Sequence, residues 1–425
     1  MSQLRYWIWL TTLQGLSLRG QLHLIERFGT PEAVFLADAG ALAQVEELTA
    51  RERDVLVRRD LRRADGVLED CQKSQVGILT IQDAAYPQRL RYIDTPPLVL
   101  YYKGQLLPFD QMPVVTVVGS RRASAYGLTV AKRMGYQLGL CGGTVVSGAA
   151  RGIDALALEG ALSADAPVAA VLGNGLDVVY PHENARLYQD VIAHGCLISE
   201  YVPGTPPLGQ NFPRRNRIMS GLSLGVLVVE AAKKSGSLIT AELALEQGRD
   251  VYAVPGNVGL KCCEGSNQLL QEGAGLVTCG WDLLETYQAR FPTQLVRREG
   301  GERVTLSPQD RKYAAEQPQQ VASPVTVPEP TAMGQEKTGE NWADSEKRID
   351  NAPKRNYIDL QQIKNSLTED EQLLVSLLGT RQRHVDELID ESDLPAARIL
   401  ASLTLLEVKG YVTRQSGNLF ESNLR

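Results

Sequence analysis

Four short stretches combine the residue types that hold phosphate. The first is Gly119-Ser120-Arg121-Arg122-Ala123-Ser124. Its glycine permits a tight turn that aims backbone N–H groups at an anion, and the serine adds a hydroxyl donor. Arg121 and Arg122 add planar cations whose donors match phosphate oxygens. The stretch is neither G-x-G-x-x-G nor a Walker loop, because the lysine is absent. The second, Ser147-Gly148-Ala149-Ala150-Arg151-Gly152-Ile153-Asp154, repeats the theme before a helix capped near Asp154. The third, Phe212-Pro213-Arg214-Arg215-Asn216-Arg217, sets three arginines beside an aromatic ring that can stack on any base. The fourth runs from Lys233 and Lys234 through Ser235, Gly236 and Ser237 to Thr240. It opens a helix whose N-terminal amides form an anion site.

Taken singly, each stretch also reads as a plain strand-to-helix turn with solvated arginines. Together they mean more. One phosphate needs one such loop, and several at neighbouring strand ends make a groove. A groove of repeated anion sites with an aromatic suits a single-stranded nucleic acid.

The surrounding elements supply that geometry. Residues 106–290 alternate buried β-rich runs with segments of helical length. The predicted strands are Val114–Val118, Thr144–Ser147, Val168–Leu172, Cys196–Ser199, Gly225–Glu230 and Asp250–Val254. Helices such as Tyr126–Leu140 and Leu238–Gln247 fall between them. The pattern predicts an α/β domain with a doubly wound, mostly parallel sheet, whose ligands bind beyond the carboxyl ends of the strands. The four stretches lie at such ends.

Residues 1–105 read as mainly helical. Gly29 stops one helix, and Thr30-Pro31 opens the next as N-cap and first helical residue. Short helices with glycine turns resemble SAM or helix–hairpin–helix modules, which serve either packing or DNA contact. Short strands and turns follow between Val76 and Lys103. Residues 291–358, rich in Gln, Pro, Glu, Ser and Thr, predict a disordered linker. In residues 359–425, Thr368 to Glu371 forms a capping box, and three helical segments precede a small hairpin in a winged-helix layout. Its presumed recognition helix, Ala396–Leu406, carries only Arg398 as a cation. That favours protein–protein or regulatory packing over DNA reading.

Composition sets bounds. The net charge of −6 puts any attraction for nucleic acid into local patches. Cys71, Cys141, Cys196, Cys262, Cys263 and Cys279 form no C-x-x-C pair, and no His stands at zinc spacing. They read as reduced, mostly buried thiols, and no metal or cofactor is expected. The N-terminus lacks the pattern of a signal peptide, and no apolar run is long enough for a membrane span, so the chain reads as cytoplasmic.

The motifs resemble the DprA/Smf family. The similarity is carried by VVTVVGSRRASAYG, VVSGAARGIDALALEGAL, GLDVVYPHENARL, FPRRNRIMSGLS, LVVEAAKKSGSLITAELALEQGRDVYAVPG and EGSNQLLQEGA, in order over residues 114–274. The resemblance implies a Rossmann-like domain that binds single-stranded DNA without catalysis. It further implies protection of the strand, its transfer to the recombinase RecA during natural transformation, and a homodimer through the same domain. The family's strand-binding positions fall here on Gly119, Ser120, Arg121, Phe212, Arg214, Arg215, Asn216, Arg217, Ser235, Gly236 and Ser237. Arg122, Arg151 and Lys234 join them on charge. One departure is Leu158, where the family pattern usually has His; it reads as a packing position. Cys263 stands where the family commonly has Ser, and the adjacent cysteines read as inert.

An enzyme on the same fold is the competing reading. Nucleotide phosphoribohydrolases of the lonely-guy type carry P-G-G-x-G-T-x-x-E at a helix start. Alignment on Thr240 puts Leu243 at the catalytic Glu position, with Glu242 one residue early and rotated off that face. Leucine can serve as neither acid nor base.

Overall fold

The computed structural model describes residues 2–298 and position 311. In the C-terminal part it describes 368–378, 383–384, 388, 391–392, 394, 396–409, 411–415 and 419–422. The chain divides into two compact units, Met1–Pro328 and Glu329–Arg425.

The first unit is built on a nine-stranded sheet. Its strands are β1 (Gly77–Thr80), β2 (Val99–Gly104), β3 (Val114–Val118), β4 (Thr144–Ser147), β5 (Val168–Leu172), β6 (Gly195–Ser199), β7 (Gly225–Val228), β8 (Asp250–Ala253) and β9 (Gly275–Leu276). The spatial order is β1-β2-β6-β5-β4-β3-β7-β8-β9. From β6 to β9 all pairs are parallel, whereas β1–β2 and β2–β6 are antiparallel. The six expected strands are present, each within two residues of its expected ends.

Burial on both faces explains why those runs were legible. Val115 and Val117 point into one core cluster, Val114 and Val118 into another. Alternate side chains of one strand thus enter opposite layers, each covered by helices. The Ala125–Leu140 and Ile153–Ser163 helices cover one face, and Asn211–Leu222 and Gly236–Glu246 the other. Leu158 is fully buried in the first layer, as a packing residue should be.

The chain runs outward from β3 through β4, β5 and β6, then returns to β7 on β3's other side. This reversal is a topological switch point, where loops leaving neighbouring strands diverge and open a crevice. The segments expected only as short strands between Val76 and Lys103 extend this sheet, with β2 capping the β6 edge. The N-terminal helices share a core with one sheet face through Trp7, Ile8, Leu10 and Leu24. Ser17, Thr30, Asp38 and Thr49 each cap a helix there, and Gly29, at φ 77°, ends the Leu18–Phe28 helix. Phe291 and Leu295, which composition assigned to the linker, are buried in this core, and the Val296 amide donates to the Cys141 carbonyl. Apart from position 311, residues 299–358 lie outside the described residues.

In the second unit the Glu369–Leu378 and Ala396–Val408 helices pack on a three-stranded sheet through Leu374, Leu378, Ile399, Leu403 and Phe420. Thr368 and Glu371 make the expected capping box. Most of the expected Val385–Ile389 helix lies outside the described residues. Arg398 is ion-paired to Asp370 at 2.6 Å.

Candidate nucleic-acid interface

A cleft of about 680 Å³ opens at the switch point. Loops after β3 and β4, the start of the Asn211–Leu222 helix, and the loops after β7 and β8 line it. Gly119, Ser120, Arg121, Arg122, Phe212, Arg215, Asn216, Ser235, Gly236 and Ser237 all contribute to the wall. Arg151, Arg214, Arg217 and Lys234 do not.

The wall is assembled from local constraints. Gly152, at φ 84°, could not carry a side chain, because a Cβ would come within 2.5 Å of the Ser120 carbonyl. The loops after β3 and β4 are thereby pressed together. The Ser120 N–H donates to the Glu230 carbonyl at 2.7 Å, and the Arg122 N–H to Ser120 Oγ at 3.1 Å. These two amides are spent inside the protein, so this loop offers side chains rather than the backbone nest its glycine suggested. Across the cleft, Ser235 Oγ caps the Gly236–Glu246 helix by accepting from the Ser237 N–H. The Asn216 amide donates to the Gly236 carbonyl at 3.3 Å and fixes that helix start to its neighbour.

The aromatic platform is composite. The Arg121 guanidinium lies 4.9 Å from the centre of the Phe212 ring, within cation–π range. Tyr180 stands beside the same ring, with centroids 5.7 Å apart, and is itself exposed. Sequence reasoning did not single out Tyr180. It also missed Lys261, which lines the cleft from the loop after β8. The rule that ligands gather beyond strand carboxyl ends applies to that loop as well and would have found it.

The arginines divide into two kinds. Arg121 and Arg122 are exposed. Arg215 is buried at 3% exposure and donates to the Val171 carbonyl. A Cβ on Gly148 would come within 2.4 Å of its guanidinium nitrogens, so the bare glycine is what lets it pass. Burial pulls the Arg215 pKa down to about 10, while the neighbouring Asp154 works against that. Burial pushes the Asp154 carboxyl up, and Arg215 and Arg121 oppose it. Asp154, expected as a helix cap, instead accepts the Gly148 N–H at 3.1 Å and so ties down the loop after β4. Arg217, at 6% exposure, is turned to Glu200 at 2.6 Å, and Arg214 reaches the same carboxylate at 3.6 Å. Arg151 pairs with Glu183. The dense cluster read from the sequence is thus mostly structural, and the cleft's exposed charge comes from Arg121, Arg122 and Lys261.

Asp154 is the one carboxylate on the cleft wall among the described residues. Leu243 is half-buried and Glu242 exposed, and neither lines the cleft. The hydrolase arrangement therefore has no acid where it needs one.

Comparison with known proteins follows the same residues. The profile of DNA recombination-mediator protein A matches residues 77–288, and that of the DprA winged helix domain matches 360–418. Protein Smf of Escherichia coli (strain K12) is 38% identical over 287 residues, covering 66% of this chain and 75% of the relative. DNA processing protein DprA of Streptococcus pneumoniae is 46% identical over 212 residues, 49% of this chain and 73% of its own. The X-ray structure of DNA processing protein A from Streptococcus pneumoniae superposes with a TM-score of 0.59 at 37% identity, covering 66% of this chain and 97% of that one.

Proposed function

This chain belongs to the DprA/Smf family of DNA recombination mediators, and on that premise we propose that its cleft binds single-stranded DNA and neither cuts nor modifies it. One observation carries the assignment to this cleft. Exposed arginines, the Phe212 ring and a capped helix N-terminus share one open crevice at the carboxyl ends of the strands, with Tyr180 beside that ring. Cations hold the phosphates, while Phe212 and Tyr180 offer faces to unpaired bases. The direct phosphate contacts belong to Ser120, Arg121, Arg122 and the Ser235–Ser237 turn. Gly119, Arg215 and Asn216 shape the wall behind them. Arg214, Arg217, Arg151 and Lys234 lie outside the cleft wall.

Family membership supports two further parts of the reading. The bound strand is protected and passed to RecA recombinase, and two copies pair through the sheet domain. No helix among the described residues is long and apolar enough to cross a membrane.

A mobility-shift comparison of single-stranded and duplex DNA tests the proposal. Single strands should bind more tightly, and Phe212→Ala should remove most of that preference. Equal affinity for both forms would rule out the stacking platform. Incubation with AMP-type nucleotides should release no base, and measurable turnover would favour the hydrolase.

A further inference from the structure

At the edge of the cleft the fold brings Glu230 together with two adjacent cysteines that lie further along the chain. Glu230 ends the segment after β7, while Cys262 and Cys263 follow the loop after β8. Their carboxylate oxygen and two Sγ atoms lie within 4.8 Å of one another. We propose that Glu230, Cys262 and Cys263 form a site for a thiophilic divalent cation of the zinc type.

Three observations point to it. The first is spacing. The two Sγ atoms stand 3.8 Å apart. Two thiolates at about 2.3 Å from a tetrahedral zinc stand about 3.8 Å apart, so the pair already has the separation of two ligands. The carboxylate must close by only about 1 Å to complete a third bond.

The second is charge. Glu230 is 1% exposed; burial pushes its carboxyl up, and hydrogen bonds from Ser124 and Cys262 work against that. Buried carboxylates are ordinarily paired or coordinate a metal. Besides the Cys262 thiol, Ser124 supports Glu230: its N–H donates to one carboxylate oxygen at 2.9 Å and its hydroxyl donates to the other. That is the outer-shell support a ligating carboxylate needs to hold its orientation.

The third is access. Cys263 and Glu230 are buried, but Cys262 is half-buried and lines the cleft next to Lys261. A metal reached from the cleft would have three protein ligands, with its fourth position on the cleft side. Such a site takes a water or an anionic oxygen there, in the manner of open rather than closed zinc sites. The thiols must shed protons to bind, and burial together with the neighbouring Glu230 works against this by pushing Cys262 up to about 12, so metal uptake should release protons.

The test uses the full chain, reduced and stripped with a chelator, in the absence of DNA, so it stands apart from the strand-binding reading. Titration with Co²⁺ should saturate at one ion per chain, with thiolate-to-cobalt charge-transfer absorption that Zn²⁺ abolishes. Cys262→Ser should remove most of that absorption, and Cys263→Ala should remove it as well. Ser124→Ala, which leaves all three ligands, should weaken Zn²⁺ binding by about tenfold. Cys279→Ser, a half-buried thiol elsewhere, should change nothing. Absence of the band in the wild-type protein, or its survival in both cysteine variants, would overturn the site. Isolation of a Cys262–Cys263 disulfide with no Co²⁺ uptake after reduction would also overturn it, in favour of a redox pair.

Discussion

Arg121 lies over the Phe212 ring at the cleft surface, whereas Arg215 sits behind it, buried beside Asp154. The two should therefore fail differently. Arg121→Ala should weaken strand binding without unfolding the protein, because the side chain is exposed. Arg215→Ala removes the charge that faces the buried Asp154 and the donor to the Val171 carbonyl, and should cost about 1–3 kcal/mol of stability. Chemical denaturation checks the second, and an unchanged midpoint would show that Asp154 does not depend on Arg215. Phe212→Ala should cost about 1–3 kcal/mol of binding, the worth of one stacked base. Affinity within error of wild type would move the stacking role to Tyr180 alone. The sequence did not reveal this division among the arginines. Arg214, Arg215 and Arg217 follow one another on a single helix start, and their partners Glu200 and Asp154 lie elsewhere in the chain. Nothing local marks an arginine as buried when its counter-charge arrives through tertiary packing.

The elements were easier to read where burial was complete. β3, β4 and β5 are buried on both faces, so each shows as a short β-rich run with clear ends. β1 and β2 pair antiparallel and reach β6 only through a long-range contact, which no local pattern reports. Caps were legible for the opposite reason, since a cap is made within a few residues. Glu52 goes one step further. Its carboxylate accepts from the N–H and hydroxyl groups of both Ser17 and Thr49 and so ties two helix starts together. The hydrogen bond from the Ser17 hydroxyl leads in holding its pKa down at about 2. A carboxyl whose folded pKa is depressed contributes stability that is full above its unfolded pKa of about 4.3 and is lost as pH falls toward the folded value. The wild-type melting temperature should thus drop more between about pH 6 and about pH 3 than that of Glu52→Gln. Equal drops would mean that Glu52 is no more strongly held in the folded protein than in the unfolded chain.

At the scale of the molecule, the chain carries a net charge of −6 and still presents Arg121, Arg122 and Lys261 in one cleft. Attraction for a polyanion must then be local and short-ranged. The sheet that frames the cleft is one core with the N-terminal helices, and it continues to Leu295. A fragment of residues 106–290 would lose β1, β2 and the core contacts of Phe291 and Leu295. It should not give a cooperative thermal transition, whereas a fragment of residues 1–328 should fold and keep binding single strands. Binding that disappears with the Glu329–Arg425 unit would shift the function toward the winged helix, whose Arg398 is already engaged by Asp370. The most direct measurement is a fluorescence titration of a labelled single strand at a series of salt concentrations, run on the full chain and on Arg121→Ala. A strand held by phosphate contacts in this cleft should lose affinity steeply with salt, and the variant's log–log slope should be shallower by about 0.7, the share of one lost contact. Identical slopes, or binding that ignores salt, would contradict the assignment of the cleft.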